Sequence, residues 1–204
     1  VEMLAEEGFN IISLEDLGPY FTLIGLQQMI FLGCGVMGAE WDRFLRPSGK
    51  SIIQGLLLGI GLYLVNIISG TLVVQMLDWL GADHAWRMVM EERSVMEAIL
   101  RNGSPITVMM VFLLVVIGAP LGEEVFFRGA LLGRLTEAVG PAWALILTSL
   151  VFAALHLYVI QFLPVMIAGI YLGMIVLRTR DLTKAVIAHA LANCLTFWAM
   201  LTLL

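Results

Sequence analysis

Apolar runs long enough to cross a bilayer recur along this chain at roughly 19–39, 51–78, 105–134, 141–160, 161–178 and 182–204, and nothing else limits its fold as tightly. About 20 helical residues span the ~30 Å hydrocarbon core, and in lipid each segment must satisfy its own backbone hydrogen bonds. Each run therefore reads as a helix. Of the 204 residues, 60% are hydrophobic and 13% charged, with a mean hydropathy of +0.97. Soluble domains carry roughly a quarter charged residues, so no soluble unit is left over. The expectation is an all-α, polytopic transmembrane helix bundle of about six spans, forming a single membrane domain over 1–204. Membrane lipid is its implied surroundings. A net charge of -5 offers no basic surface, so no nucleic-acid partner is expected.

Local signals place the helix starts. In "NGSP", Ser104 stands at an N-cap with Pro105 at the first helical position, and Gly140-Pro141 opens the fourth span in the same way. Pro164 marks the boundary between the fourth and fifth. Between the second and third spans, Trp86, Val89, Met90, Met96, Ile99 and Leu100 recur at helical spacing among Arg87, Glu91, Glu92 and Arg93, the pattern of an interfacial helix. Residues 1–17 carry five acids and no Lys or Arg, which suits a short amphipathic lead-in and not a signal peptide. Cys34 and Cys194 fall in apolar runs and read as buried thiols without a disulfide. GxxxG spacing at Gly55/Gly59, Gly129/Gly133 and Gly169/Gly173 allows close helix approach, with no partner assigned.

Orientation follows from the basic residues. Arg43, Arg46, Lys50, Arg128, Arg134, Arg178, Arg180 and Lys184 fall on one side, and Arg87, Arg93 and Arg101 on the other. Eight against three, or seven against three if Arg128 is buried and discounted, puts the N-terminus outside and the 39–51, 135–140 and 178–184 connections in the cytoplasm.

Ionisable groups inside a span cost several kcal/mol unless paired or wetted, so each is a functional candidate. Three clusters occur: Glu123, Glu124 and Arg128 in "EEVFFR"; His156 in "FAALH"; and His189 with Asn193 in "HALAN". At about 1.5 Å per residue, Glu123, His156, His189 and Asn193 lie about 16, 22, 10 and 16 Å from their cytoplasmic helix ends, so they can meet at one depth. Residues four apart share a face, which lets Glu124 pair with Arg128 and aligns His189 with Asn193. Glu123 sits about 100° round from Glu124 and is free to point elsewhere. The bland alternatives end the third span near residue 122 with the charges among the headgroups, and treat His156, His189 and Asn193 as interhelical packing. His84 lies in a connection and takes no role.

The three motifs fit EExxxR, FxxxH and HxxxN in order along the last four helices. Residues 105–204 thereby resemble the CPBP family of intramembrane glutamic proteases, which includes CAAX prenyl endopeptidases and bacterial bacteriocin-processing or immunity proteins. The resemblance implies that Glu123 and His156 activate water, that His189 and Asn193 stabilise the oxyanion, and that Glu124 and Arg128 form a structural ion pair. It also implies an intramembrane endopeptidase acting on a membrane-associated or lipidated peptide or protein, with no cofactor and no metal, in a prokaryotic plasma membrane. Residues 1–104 carry no motif. Two other readings stay open. One is a zinc-dependent membrane protease, since a glutamate and two histidines are zinc ligands, although no HExxH occurs. The other is a non-catalytic membrane protein, an immunity factor or scaffold, with a proton-coupled transporter as a related case.

Overall fold

The computed structural model describes residues 18–38, 46–82 and 84–203, and among these every regular element is a helix. They are α1 (Gly18–Gly38), α2 (Gly49–Trp79), α3 (Ala85–Asn102), α4 (Pro105–Val139), α5 (Pro141–Leu155), α6 (Phe162–Thr179) and α7 (Leu182–Leu203). The expected lead-in at 1–17 and Arg43 lie outside the described residues. Helices α2, α4, α6 and α7 are long and apolar enough to cross a membrane, while α5 and the apolar part of α1, Thr22–Gly38, are shorter. Of about six expected spans, four thus meet, among the described residues, the length a bilayer demands. Helix α5 falls short because the chain leaves the helix at His156 instead of running on to 160.

Capping chemistry fixes the starts. The Ser48 hydroxyl accepts from the Ser51 amide at 3.1 Å to open α2, and Ser104 accepts from Thr107 at 3.2 Å ahead of Pro105 to open α4. Gly140, at φ 82°, makes the turn into Pro141. Such a left-handed conformation suits glycine, which has no Cβ to clash. The amphipathic α3 forms where expected and buries Val89, Ile99 and Leu100.

Helix α4 is not uniform. It widens to π geometry at Leu113–Gly118 and again at Val125–Leu131, on either side of the six residues Ala119–Glu124. Pro120 lacks an amide hydrogen and its ring crowds the preceding turn, which accounts for the first widening.

Close packing follows the glycines. A Cβ on Gly55 would lie 2.8 Å from Ile187, and one on Gly59 2.9 Å from the Ala188 carbonyl, so α2 rests directly on α7. Gly169 and Gly173 bring α6 against Ser149 and Leu145 of α5, whereas Gly133 faces open space. Two of the GxxxG pairs therefore have partners. Cys34 is exposed and Cys194 half-buried, both as free thiols, which corrects the expectation that each is buried. Leu57, Ile68, Leu72 and Met110 stand more than half exposed on the outer surface, as lipid-facing side chains do. Inside, Leu62, Val125, Leu172 and Leu182 pack one cluster, and Phe31, Phe127 and Phe152 another. The polar site lies against both.

Candidate active site

Helix α4 continues through the charged motif to Val139, so the alternative that ends the span near residue 122 does not apply. Glu123, Glu124 and Arg128 are only 5%, 0% and 2% exposed. One turn apart, Arg128 Nη1 donates to Glu124 Oε1 at 2.8 Å, while Nη2 donates to the Gly169 carbonyl at 3.0 Å. Its guanidinium carbon lies 4.5 Å from the centre of the Phe152 ring. The cation is thus desolvated but matched on every side, and it ties α4 to both α5 and α6.

Glu123 turns the other way. Its Oε1 accepts a 3.0 Å hydrogen bond from Gln28 Nε2 of α1, and its Oε2 faces His189 Nε2 at 3.9 Å. The same imidazole places Nδ1 2.9 Å from Glu124 Oε1. His189, on α7, therefore bridges the glutamate pair, with the ion-paired carboxylate on one ring nitrogen and Glu123 beyond the other.

Asn193, one turn along α7, does not reach the glutamates through its amide nitrogen. Its Nδ2 donates to the Val115 carbonyl at 3.0 Å. The reason lies in α4. In the widened turn the Ala119 amide bonds to the Leu114 carbonyl, so the next carbonyl, Val115, would pair with the amide of residue 120, which is proline. Asn193 supplies the donor that Pro120 lacks.

His156 stands apart from this network. It ends α5, where Nδ1 lies 2.7 Å from the Phe152 carbonyl and the ring centre 4.6 Å from that of Phe152. That bond makes Nδ1 the donor and leaves Nε2 with a lone pair in the neutral ring. Phe152 also borders His189, with centres 6.1 Å apart, so the two histidines flank one aromatic ring. After His156 the chain turns at Leu157, whose φ of 58° is uncommon for a branched residue. The turn is held from outside: Glu92 of α3 accepts from the amides of Val159, Ile160 and Gln161 at 2.6, 2.9 and 3.4 Å. Burial raises the phenol pKa of Tyr158 in this turn, and the charges of Glu92 and Glu123 raise it further. An apolar cleft of ≈ 380 Å³ lies between α1 and the end of α5, bordered by Leu23, Leu26, Gln27, Ile30 and Phe31 on one side and by Leu155 and Leu157 on the other.

Residues 105–195, which contain this constellation except for Gln28 and Glu92, match the family model described as type II CAAX prenyl endopeptidase Rce1-like. Over this stretch the chain is similar to the CAAX protease family. No curated protein and no solved structure shows significant similarity to the chain. The similarity is to a family of proteases, and the described residues include four helices long and apolar enough to cross a membrane.

Of the expected site residues, Glu123, Glu124, Arg128 and His189 come together directly, Asn193 lies one turn beyond His189, and His156 meets this group across the Phe152 ring. Zinc would call for three ligands converging on one point. Among the described residues no three His, Cys, Asp or Glu side chains are so grouped. Two residues escaped the sequence reading. Gln28 carried a legible sign, an amide within an apolar run. Glu92 carried none, because on α3 it is one of several charges on an amphipathic helix.

Proposed function

We propose that the protein is an intramembrane endopeptidase in which Glu123 activates a water to hydrolyse a peptide bond of a membrane-associated or lipidated substrate. The observation that carries this reading is the asymmetry of the glutamate pair. Glu124 is committed to Arg128, whereas Glu123 keeps Oε2 3.9 Å from His189 Nε2, too far for a direct hydrogen bond and near enough for both to reach one small polar group.

Each role follows from what a side chain can donate or accept. Glu123 takes the proton of the attacking water, and His156, whose Nε2 is the free acceptor, shares that task and returns the proton to the leaving amine. Asn193 donates toward the oxygen of the scissile carbonyl as charge gathers there, and His189, whose Nδ1–H is spent on Glu124, donates beside it through Nε2–H when its ring carries both protons. Asn193 spends one amide hydrogen on the Val115 carbonyl, which fixes the direction of the other. Glu124 and Arg128 hold the assembly together. The cleft along α1 admits the apolar part of a substrate lying in the membrane, and the basic connections put the N-terminus outside with the site open toward the cytoplasm. The setting that fits is a prokaryotic plasma membrane.

Water activation by a carboxylate needs no metal ion. Cleavage by the purified protein should survive prolonged chelation, and metal analysis should find no stoichiometric transition metal. Loss of cleavage on stripping zinc, with recovery on its return, would replace this mechanism by a metal-dependent one.

A further inference from the structure

Gln28 lies in α1, outside the stretch that matches the protease family, yet it is 8% exposed and hydrogen-bonded to Glu123. An amide in the middle of an apolar helix is costly unless it is used. The bond fixes the orientation of the amide, since turning it over would set its oxygen against the carboxylate. Gln28 Oε1 then has no N–H or O–H donor. It is turned instead toward Gly122, the residue before Glu123, where a Cβ would come within 2.9 Å of Oε1 and 3.1 Å of the Gln28 carbonyl. Nearby, a Cβ on Gly35 would lie 2.8 Å from the Phe126 amide, so the backbones of α1 and α4 meet over two turns. The Gln28 side chain is thereby seated against the Gly122-Glu123 step, with its amide nitrogen on Oε1 of Glu123 and the other oxygen, Oε2, toward His189.

We infer that Gln28 is a positioning residue: by holding Glu123 Oε1 it aims Oε2 at the reaction site, and Gly122 is glycine to make room for it. The inference rests on the reading of Glu123 as the base. It makes α1, which carries no motif, part of the machinery. A carboxylate on a flexible side chain that loses this tether would sample several rotamers, and misplacement by about 1 Å can cost about 10²-fold in rate.

The test uses the full-length protein in detergent or liposomes and, as probe, a quenched-fluorescence peptide built on a site cut in wild-type but not in Glu123→Gln membranes. Gln28→Met keeps the length and volume of the side chain and removes the donor. It should lower kcat by about 10²-fold while KM stays the same. Full kcat in this variant would overturn the inference, because a packing role survives the exchange; so would a raised KM with kcat intact, which would mark a substrate contact. If Gln28→Met does not fold, Gln28→Asn serves instead, because it keeps the amide but draws it back from Glu123 by one methylene. It should lower kcat with KM unchanged. Full kcat in this variant would overturn the inference. Failure of the underlying reading looks different: Glu123→Gln membranes would cut every site that wild-type membranes cut, and no such probe site would exist.

Discussion

At Glu124 a single carboxylate oxygen takes the Arg128 hydrogen bond and faces His189 Nδ1 as well, with no exposed surface. Removing one member of such a buried pair strands the other charge, at a cost of about 3–5 kcal/mol. Glu124→Ala and Arg128→Ala should therefore unfold at clearly lower temperature than wild type in detergent, losing activity as a consequence. Glu123→Gln should lose activity alone, since an amide can replace the carboxylate beside Gln28 with little strain. Equal activity loss with unchanged melting in all three would contradict this division. Asn193 makes a second residue-scale test. Losing one preorganised oxyanion donor costs about 10²- to 10³-fold in rate, so Asn193→Ala should lower kcat by that order and leave KM alone. A change in KM alone would reassign Asn193 to substrate binding.

Elements meet this site through their ends and defects as much as through their faces. The turn after α5 is clamped by a carboxylate of α3, and the wide turn of α4 exists because of Pro120 and is completed from α7. Glu92→Ala leaves the Val159 and Ile160 amides without their acceptor, a loss of about 1–3 kcal/mol where they are shielded from water. Hydrogen exchange should accelerate at 159–161 while the cores of α2 and α7 stay protected. Glu92→Gln removes the charge and keeps the shape. The negative charge of Glu92 helps hold Tyr158 protonated above its ordinary 10.0, so this variant should bring the phenol's ultraviolet titration down in pH. The sign for stability follows: a raised folded pKa contributes fully below the unfolded value and is lost as pH climbs through the folded one. Unchanged exchange at 159–161 would show that Glu92 does not hold the turn.

Across the whole molecule, the helical plan could be read from hydropathy because lipid leaves so few alternatives, and Glu124 with Arg128 could be read from their four-residue spacing. The end of α5 could not. Leu157, Val159 and Ile160 are as apolar as a helix interior, and hydropathy does not register a turn whose amides are satisfied by a glutamate 67 to 69 residues away. Gln28 could be noticed as an amide in an apolar run, but its partner could not, and Glu92 gave no sign at all, since each acts on a residue that only tertiary packing brings near. The central claim is that Glu123 is the base of a membrane-embedded peptide hydrolase. Its most direct test compares the protein termini of membranes containing wild-type protein with those containing Glu123→Gln at equal abundance. The account predicts new termini in the wild-type membranes that vanish entirely in the variant. The same termini, formed at the same rate with Glu123→Gln, would contradict it.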